Sequence, residues 1–290
     1  MPTKESIKRE LDFSRNMSEI LEVMKQMAQA QFTASKRVSV STFGGLVVSF
    51  DRIFELMLAV PKTHPLIKSQ SNVYGIIVCT SDQAFMGALN SKIAKKARQT
   101  AEEGGQCLYL PCGRKGALKF KFAKEPYVGF QAIKDSSGMK TLSTELADFA
   151  VKQFVEKRMG KLFVVSAESN SFGSQVVRAT QLLPFEDLVK KYEIFKNKKK
   201  LEGQNLIISE SESKPLAEFT ARLWVRNALY YLFMNNKPAE FSALASQMEG
   251  SCESVKKVIG KLSTLYKRAR NEKIDASMRE IFVSTMVNTG

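Results

Sequence analysis

The apolar residues of the first forty positions recur at alternating steps of four and three, and this repeat constrains the fold of the 290-residue chain more than any other feature. A 3.5-residue repeat is typical of the narrow seam of a coiled coil, whereas a helix on a globular core has a wider apolar stripe. The same repeat returns in the last third of the chain, so the two ends are predicted to form an antiparallel two-helix coiled coil. The predicted seams are Phe13, Met17, Ile20, Met24, Met27, Gln31, Ala34 and Val38 in the first helix, and Val255, Val258, Leu262, Leu265, Ala269 and Ala276 in the second.

Two features interrupt the helical patterns. Gly44 and Gly45 are expected to weaken or bend the first helix, because each glycine costs about 1 kcal/mol relative to alanine. Pro238 lies in the second helical pattern, where a proline costs about 3 kcal/mol and is expected to cause a kink.

Between the helical ends, short apolar runs of strand length alternate with amphipathic segments. Strands are predicted at residues 74–80, 107–110, 161–166 and 205–209, and helices at 88–103 and 142–159. This alternation indicates an α/β fold with a small central Rossmann-like domain that lacks the glycine-rich phosphate fingerprint. The predicted domains are an N-terminal coiled-coil helix (1–60), the α/β domain (61–214) at one end of the rod, and a C-terminal coiled-coil helix (215–290).

Several chemistries are poorly supported by the residues present. The only histidine, His64, lies between Pro61 and Pro65 in a predicted loop, so histidine-dependent nucleophilic catalysis is not expected. Cys107 and Cys112 have no second cysteine pair to complete a zinc site. Nucleotide-binding glycine motifs are missing, and the longest apolar runs are too short to cross a membrane. No catalytic, cofactor-binding or metal-binding residue is therefore predicted.

The chain carries a formal net charge of +15, which is compatible with a solvated surface, nucleic acid, an anionic membrane or an acidic protein. No zinc pattern or basic-aromatic motif supports nucleic-acid binding. Residues 266–273 (YKRARNEK) place four cations against one anion on the second helix, and an acidic protein surround would complement them. The lysine-rich run at 190–200 is compatible with a solvated loop, a phospholipid surface or an acidic partner.

Three segments, in order along the chain, resemble one known family. Residues 20–30 (ILEVMKQMAQA) are similar to that family's I-T-K-A-M-K-M-V-A-A-A, and residues 80–91 (TSDQAFMGALNS) to T-S-D-R-G-L-C-G-G-L-N-S. Residues 265–274 (LYKRARNEKI) are similar to L-Y-N-K-A-R-Q-A-x-I. On these motifs the chain resembles the gamma subunits of F-type rotary ATP synthases, as a divergent member.

The resemblance implies a non-catalytic rotor shaft without cofactors. Its expected partners are the alpha and beta catalytic-sector subunits, an epsilon-type stalk subunit and the membrane c-ring, but not nucleic acid. The expected location is peripheral, on the cytoplasmic face of the inner (plasma) membrane. Two alternatives remain open: a free-standing coiled-coil α/β adaptor for an acidic partner, and a divergent shaft repurposed for another mechanical role.

The resemblance also implies a set of functional residues. Contacts with the catalytic subunits are expected at Lys25, Glu240, Lys267, Arg268, Arg270, Asn271 and Asp275. The loop motif is expected at Ser81, Asp82 and Gln83. Gln83 and Leu244 stand where the family carries arginine, so part of the family's contact set is replaced.

Overall fold

The computed structural model describes the backbone of residues 3–57, 63–186 and 213–288, and the side chains of 3–38, 63–186 and 214–284. The chain forms two compact units. The first consists of Met1–Gln29 with Leu244–Gly290, and the second of Ala30–Ala243. Helix α1 (Lys4–Met57) and the last helix, α5 (Ser213–Asn288), each contribute residues to both units. The predicted boundaries near residues 60 and 214 stay a prediction.

The first unit is an antiparallel pair made by the start of α1 and the second half of α5. Ile7 and Leu11 pack against Leu262, and further along α1 Leu21 packs against Met248 and Cys252. Contact positions rise along α1 while they fall along α5, so the helices run in opposite directions. The predicted antiparallel coiled coil of the two chain ends is confirmed.

The predicted seam of α1 has the correct period, and its Met17 and Met24 pack against the buried Leu21, Met248 and Cys252 as expected, but its larger members lie outside the interface. Phe13, Ile20 and Met27 are 65%, 56% and 57% exposed, whereas the following residues, Ser14, Leu21 and Ala28, are buried. The small Ser14 and Ala28 permit close approach of the partner helix, and the Ser14 hydroxyl donates to the Glu10 carbonyl oxygen at 2.8 Å. The sequence pattern favoured the large apolar Phe13, Ile20 and Met27 as seam residues. Hydrophobicity alone does not indicate that small residues such as Ser14 and Ala28 are buried.

The seam of α5 was predicted more closely. Leu262 is buried, and Val255 and Ala269 pack beside the seam as expected. The predicted Val258 and Leu265 are 43% and 45% exposed. Ile259 and Tyr266 pack against the buried residues instead, and Ala276 is exposed.

The second unit is built on a four-stranded sheet in the order β2-β1-β3-β4. Strand β1 (Val73–Cys79) is parallel to both β2 (Gln106–Cys112) and β3 (Lys161–Ser171), and β4 (Ser174–Leu183) is antiparallel to β3. The connecting helices are α2 (Leu89–Glu102), α3 (Arg114–Phe122) and α4 (Ser136–Val155). This sheet confirms the Rossmann-like α/β fold.

Helices α4 and α5 cover the sheet with apolar faces of helical period. On α4, Leu142, Leu146, Ala150 and Phe154 are fully or almost fully buried. The corresponding residues of α5 are Ala217, Ala221, Val225, Leu229 and Phe233. Asp135 caps α4 by accepting a hydrogen bond from the Gly138 amide at 2.7 Å, which satisfies one of the free amides of the first turn. The start of α5 is therefore part of the sheet's core.

The other sequence predictions have mixed outcomes. Helix α1 continues through Gly44 and Gly45, and α5 continues through Pro238, and the bend and the kink expected at these positions stay predictions. The residues on both sides of Pro238, Lys237 and Ala239, are buried in the second unit. Helix α3 and the edge strand β4 were missed. The predicted strand at 205–209 and the lysine run at 190–200 lie outside the described residues.

Candidate functional site

Residues 80–87 follow β1, and hydrogen bonds to β2 and α2 hold the start of this loop in place. The Thr80 hydroxyl donates to the carbonyl oxygen of Cys112 at the end of β2. Ser81 and Asn90 of α2 form two hydrogen bonds: the Ser81 amide donates to Asn90 Oδ1 at 3.0 Å, and Asn90 Nδ2 donates to the Ser81 carbonyl oxygen at 2.8 Å. The loop motif therefore lies at the carboxyl end of the parallel strands, fixed to β2 and α2.

Asp82 of this loop caps helix α3. Its carboxylate accepts hydrogen bonds from the amides of Arg114 and Lys115, at 2.9 and 2.8 Å. Gly113, with φ of 92°, adopts a left-handed conformation, and a side-chain carbon at this position would lie 2.8 Å from Asp82 Oδ1. An anionic side chain is favourable at a helix N-terminus, because the free amides and the helix dipole are positive there. Lys115 Nζ also donates to the Gln83 carbonyl oxygen at 2.8 Å.

Ser81 also connects the loop to a buried carboxylate on α5. The Ser81 hydroxyl donates to Glu240 Oε2 at 3.0 Å, and Asn236 Nδ2 donates to Glu240 Oε1 at 2.8 Å. Lys237 Nζ donates to Glu240 Oε2 at 3.0 Å and to the Ile133 carbonyl oxygen at 2.6 Å. Glu240 is only 1% exposed. The structure thus brings together two predicted site residues, Ser81 and Glu240, that are 159 positions apart.

Burial raises the pKa of Glu240, and the Lys237 ammonium and the hydrogen bonds from Ser81 and Asn236 oppose that rise. Asn236 Oδ1 accepts a hydrogen bond from the Ala167 amide at 2.9 Å, which extends the network to β3. We name this set, Ser81, Asn236, Lys237 and Glu240, the polar anchor. It joins the loop after β1, strand β3 and helix α5 within the second unit.

The contact between Glu240 and a partner subunit stays a prediction. In the structure the Glu240 carboxylate is buried rather than exposed on the surface. All its hydrogen-bond donors belong to its own unit. Asn236 and Lys237 were missed by sequence reasoning. Their signal is the polar segment N-N-K-P-A-E at 235–240, which interrupts an otherwise apolar helical pattern.

The other predicted contact residues lie in the first unit. Lys25 Nζ forms an ion pair with Glu22 Oε1 at 2.8 Å, and this contact raises the pKa of Lys25 and lowers the pKa of Glu22. Lys267, Arg268, Arg270, Asn271 and Asp275 are all exposed on α5. The predicted residues therefore form two groups: the loop with Glu240 in the second unit, and the charged helix surfaces in the first.

Large apolar side chains accompany these charges. Every side chain from residue 270 to 284 is exposed, including Met278 and Ile281 at 65% each and Phe282 at 63%. On α1, Phe13, Ile20 and Met27 lie seven residues apart and form a second exposed apolar stripe beside the seam. Exposed apolar surface of this extent is typical of an interaction site.

The described residues offer no metal site, since they contain no group of three His, Cys, Asp or Glu placed to hold an ion. The four cysteines are free thiols. Cys79 and Cys112 are register partners on β1 and β2, and their hydrogen bond, with burial, raises the pKa of Cys79. In the described part of the chain, no helix is long and apolar enough to span a bilayer.

The fold defines a class of protein in which the two terminal helices pair with each other in one unit and also contribute residues to an α/β unit. A family profile described as ATP synthase matches residues 3–285. The chain belongs to the ATP synthase gamma-chain family.

Curated relatives match over nearly the whole chain. The ATP synthase gamma chain of Halothermothrix orenii is 23% identical over 295 residues and covers 97% of both chains. That of Sulfurihydrogenibium is 21% identical, covering 95% of this chain and 94% of its own.

Solved structures share the fold. A chain of the Euglena gracilis mitochondrial ATP synthase in rotational state 3 superposes with a TM-score of 0.68 at 16% identity, covering 98% of this chain and 94% of its own. A chain from the Tetrahymena thermophila central stalk and c-ring gives a TM-score of 0.57 at 18% identity, covering 80% and 99%.

Proposed function

We propose that the chain is the central rotor shaft of an F-type ATP synthase, coupling ion-driven rotation of a membrane ring to the conformational cycle of catalytic subunits in ATP synthesis or hydrolysis. The observation that carries this proposal is the surface of the first unit. Its coiled-coil seam is buried, yet both helices expose further apolar side chains, including Phe13 on α1 and Met278 and Ile281 on α5. Surrounding subunits would cover these side chains.

The rotor mechanism requires that the helix pair present a different surface at each angle. The two helices differ in this way: α1 exposes the stripe of Phe13, Ile20 and Met27, whereas α5 exposes Lys267, Arg268 and Arg270. Because the two helices expose different sets of side chains, a surrounding subunit would meet a different surface at each angle. Each angle favours a different conformation of that subunit, and hence a different nucleotide affinity.

The exposed cations Lys267, Arg268 and Arg270 would contribute more to the specificity of the contact with the surrounding subunits than to its binding energy. Exposed ion pairs are worth about 0.2–1 kcal/mol each, so torque would be shared among several contacts with acidic segments of the alpha and beta subunits. Lys25, Asn271 and Asp275 add polar contacts to the same surface. Within the described residues, Lys267, Arg268 and Arg270 form no ion pair in their own chain, which leaves them available to a partner.

The polar anchor has a mechanical role in this proposal. It fixes α5 to the loop after β1 and to β3 through four buried groups, and α5 continues from there into the first unit. Torque applied to the α/β unit would be transmitted to α5 through these hydrogen bonds. Ser81 and Glu240 thus act as positioning residues, and Asp82 holds α3 in place.

The subunit is itself non-catalytic in this proposal, because nucleotide chemistry takes place in the catalytic subunits that surround it. It is peripheral to the membrane, with an epsilon-type stalk subunit and the c-ring as further partners. The free-standing adaptor is not favoured, because relatives that match nearly the whole chain carry the gamma-chain name.

Affinity purification of the tagged chain from its own cells tests the proposal. The expected result is co-purification of a ring of three catalytic and three homologous subunits, with ATPase activity in the complex. A variant lacking residues 270–290 serves as the comparison, and it is expected to show impaired coupling in the complex. Recovery of the chain as a free monomer, or with an unrelated acidic protein only, would contradict the proposal.

A further inference from the structure

Helix α3 displays two apolar side chains on its outer surface. Phe122 is 80% exposed and Leu118 is 38% exposed, and a spacing of four residues places them next to each other on one face. The opposite face is packed: Gly116 and Phe120 are buried, and the Phe120 ring stacks on Tyr109 at 4.4 Å between centroids. The exposed pair therefore does not belong to the core of this unit.

Cations flank this pair on both sides. At about 100° per residue, Arg114 and Lys121 lie along one side of Leu118 and Phe122, and Lys115 and Lys119 along the other. Lys124 follows directly after the helix, and residues 113–124 contain no acidic side chain. We name this surface, formed by Arg114, Lys115, Leu118, Lys119, Lys121, Phe122 and Lys124, the α3 face.

Among the described residues, no cation of the α3 face forms an ion pair with a carboxylate. Lys115 and Lys119 donate only to uncharged oxygens, the Gln83 carbonyl and the Ser91 hydroxyl. The two nearby carboxylates have other partners. Asp82 accepts the first amides of α3, and Glu125 binds Arg98 with both oxygens, at 2.7 and 2.9 Å. The face is therefore available to an anionic partner.

We propose that the α3 face binds an anionic phospholipid surface, with Phe122 and Leu118 inserted between the headgroups and the surrounding cations paired with phosphates. An apolar ridge between rows of lysine and arginine is the arrangement by which short amphipathic helices lie at a bilayer surface. Lysine stems can lie along the acyl boundary while the ammonium groups stay in water. This interaction goes beyond the proposed shaft function and does not depend on it.

The size and composition of the face favour lipid over a macromolecular partner. A nine-residue helix is about 13 Å long, and two apolar side chains are far short of the roughly 800 Å² per partner of a stable protein interface. Nucleic-acid recognition typically uses arginine forks and several stacked aromatics, whereas this face has one arginine and one aromatic residue. A lipid surface needs only a few inserted side chains and a group of cations.

Vesicle co-sedimentation of the purified full chain tests the proposal. The chain is mixed with vesicles of phosphatidylcholine and phosphatidylglycerol, or of phosphatidylcholine alone. The variant Lys119→Gln/Lys121→Gln/Lys124→Gln is compared with Lys256→Gln/Lys257→Gln/Lys261→Gln, which removes the same charge from exposed positions of the first unit. Each interfacial cation contributes roughly fivefold to binding. The α3 variant is therefore expected to bind anionic vesicles at least about tenfold more weakly, and the control less than about twofold.

A second measurement detects insertion directly. In a Trp224→Phe background, tryptophan is placed at Phe122 or, as a matched control, at Phe219, which is 64% exposed on α5. Brominated phosphatidylcholine mixed with phosphatidylglycerol is expected to quench the fluorescence of Phe122→Trp and to leave that of Phe219→Trp unchanged. Circular dichroism confirms that each variant is folded.

Three outcomes would overturn the proposal. The first is equal loss of vesicle binding in the two lysine variants, which would mean that the net charge of +15 acts without a specific face. The second is no binding to anionic vesicles, or no quenching at position 122. The third is tight binding of a single-stranded RNA oligonucleotide that is lost in the α3 variant while vesicle binding is not, which would assign the face to nucleic acid.

Discussion

The polar anchor offers the sharpest test of the described architecture, because it contains a buried ion pair. Lys237 and Glu240 have side chains only 10% and 1% exposed, and Nζ and Oε2 are 3.0 Å apart. Removing one partner of such a pair leaves the other charge buried without compensation, at a cost of about 3–5 kcal/mol. For a chain of 290 residues, with an unfolding entropy of about 2.1 cal/mol/K per residue, that corresponds to a fall in melting temperature of roughly 5–8 °C.

The Lys237→Met variant is predicted to have a characteristic pH dependence. Burial already raises the pKa of Glu240, and loss of the ammonium raises this pKa further. A carboxyl group with a raised pKa in the folded state contributes stability that is fully present below its unfolded pKa and is lost as pH rises through its folded pKa. Lys237→Met is therefore expected to be strongly destabilised at pH 8 and much less so at pH 5.

A double-mutant cycle measures the coupling between Lys237 and Glu240. The free energy of unfolding in urea is measured at both pH values for the wild type, Lys237→Met, Glu240→Gln and the double variant. The double variant buries no charge, so its loss of stability is expected to be smaller than that of either single variant. The matched control is Glu218→Gln, which removes a partly exposed ion pair with Arg222 on the same helix and is expected to cost less than about 1 kcal/mol. Additive losses, or a pH-independent loss in Lys237→Met, would refute the reasoning.

Three further predictions concern other parts of the chain. Leu262→Ala removes a buried seam residue and is expected to lower the stability of the coiled coil by about 2 kcal/mol. Leu265→Ala, at an exposed position, is expected to change that stability by less than about 0.5 kcal/mol. Similar losses of the two variants in thermal unfolding would contradict the observed seam. Asp82→Ala removes the cap of α3 and is expected to cost about 1 kcal/mol, most of it recovered in Asp82→Asn; unchanged urea midpoints would contradict the cap. Lys267→Glu/Arg268→Glu/Arg270→Glu is expected to lower the stall torque of the assembled complex more than the yield of complex, and an unchanged torque would contradict the role of these cations.

The repeat in the sequence predicted the coiled coil because its period is a property of the whole segment. It placed Met17 and Met24 correctly but did not reveal that Ser14 and Leu21 are buried rather than Phe13 and Ile20, since Phe13 and Ile20 are more hydrophobic than Ser14 and only slightly different from Leu21. Burial there depends on how closely the partner helix can approach, and small residues such as Ser14 and Ala28 permit that approach. Size complementarity between distant segments is not visible in a local pattern.

In the α/β unit, too, the local sequence pattern predicted some elements and missed others. Apolar runs predicted β1, β2 and β3, because buried parallel strands are continuous and β-branched. Strand β4 carries Ser174, Arg178 and Gln181 on an exposed edge, so it lacks that signal. Helix α3 was obscured by its lysines and by Gly116, which is buried against Thr80.

The candidate site was predicted only as a set of separate residues. Resemblance singled out Ser81, Asp82 and Glu240, but not that Ser81 and Glu240 share a hydrogen bond or that Asp82 caps α3. Those contacts depend on the sheet bringing the end of β1 beside α5. Asn236 and Lys237 are recognisable only once Glu240 is known to be buried and to need donors.

Single-molecule observation of the native complex tests the rotor proposal most directly. A gold bead is attached to this chain through Lys134→Cys, an exposed loop position, in a Cys107→Ser background, while the surrounding subunits are fixed to a surface. With ATP present, the account predicts unidirectional rotation of the bead, slowed under load by Lys267→Glu/Arg268→Glu/Arg270→Glu. A bead that shows only Brownian fluctuation while the same complexes hydrolyse ATP would contradict it.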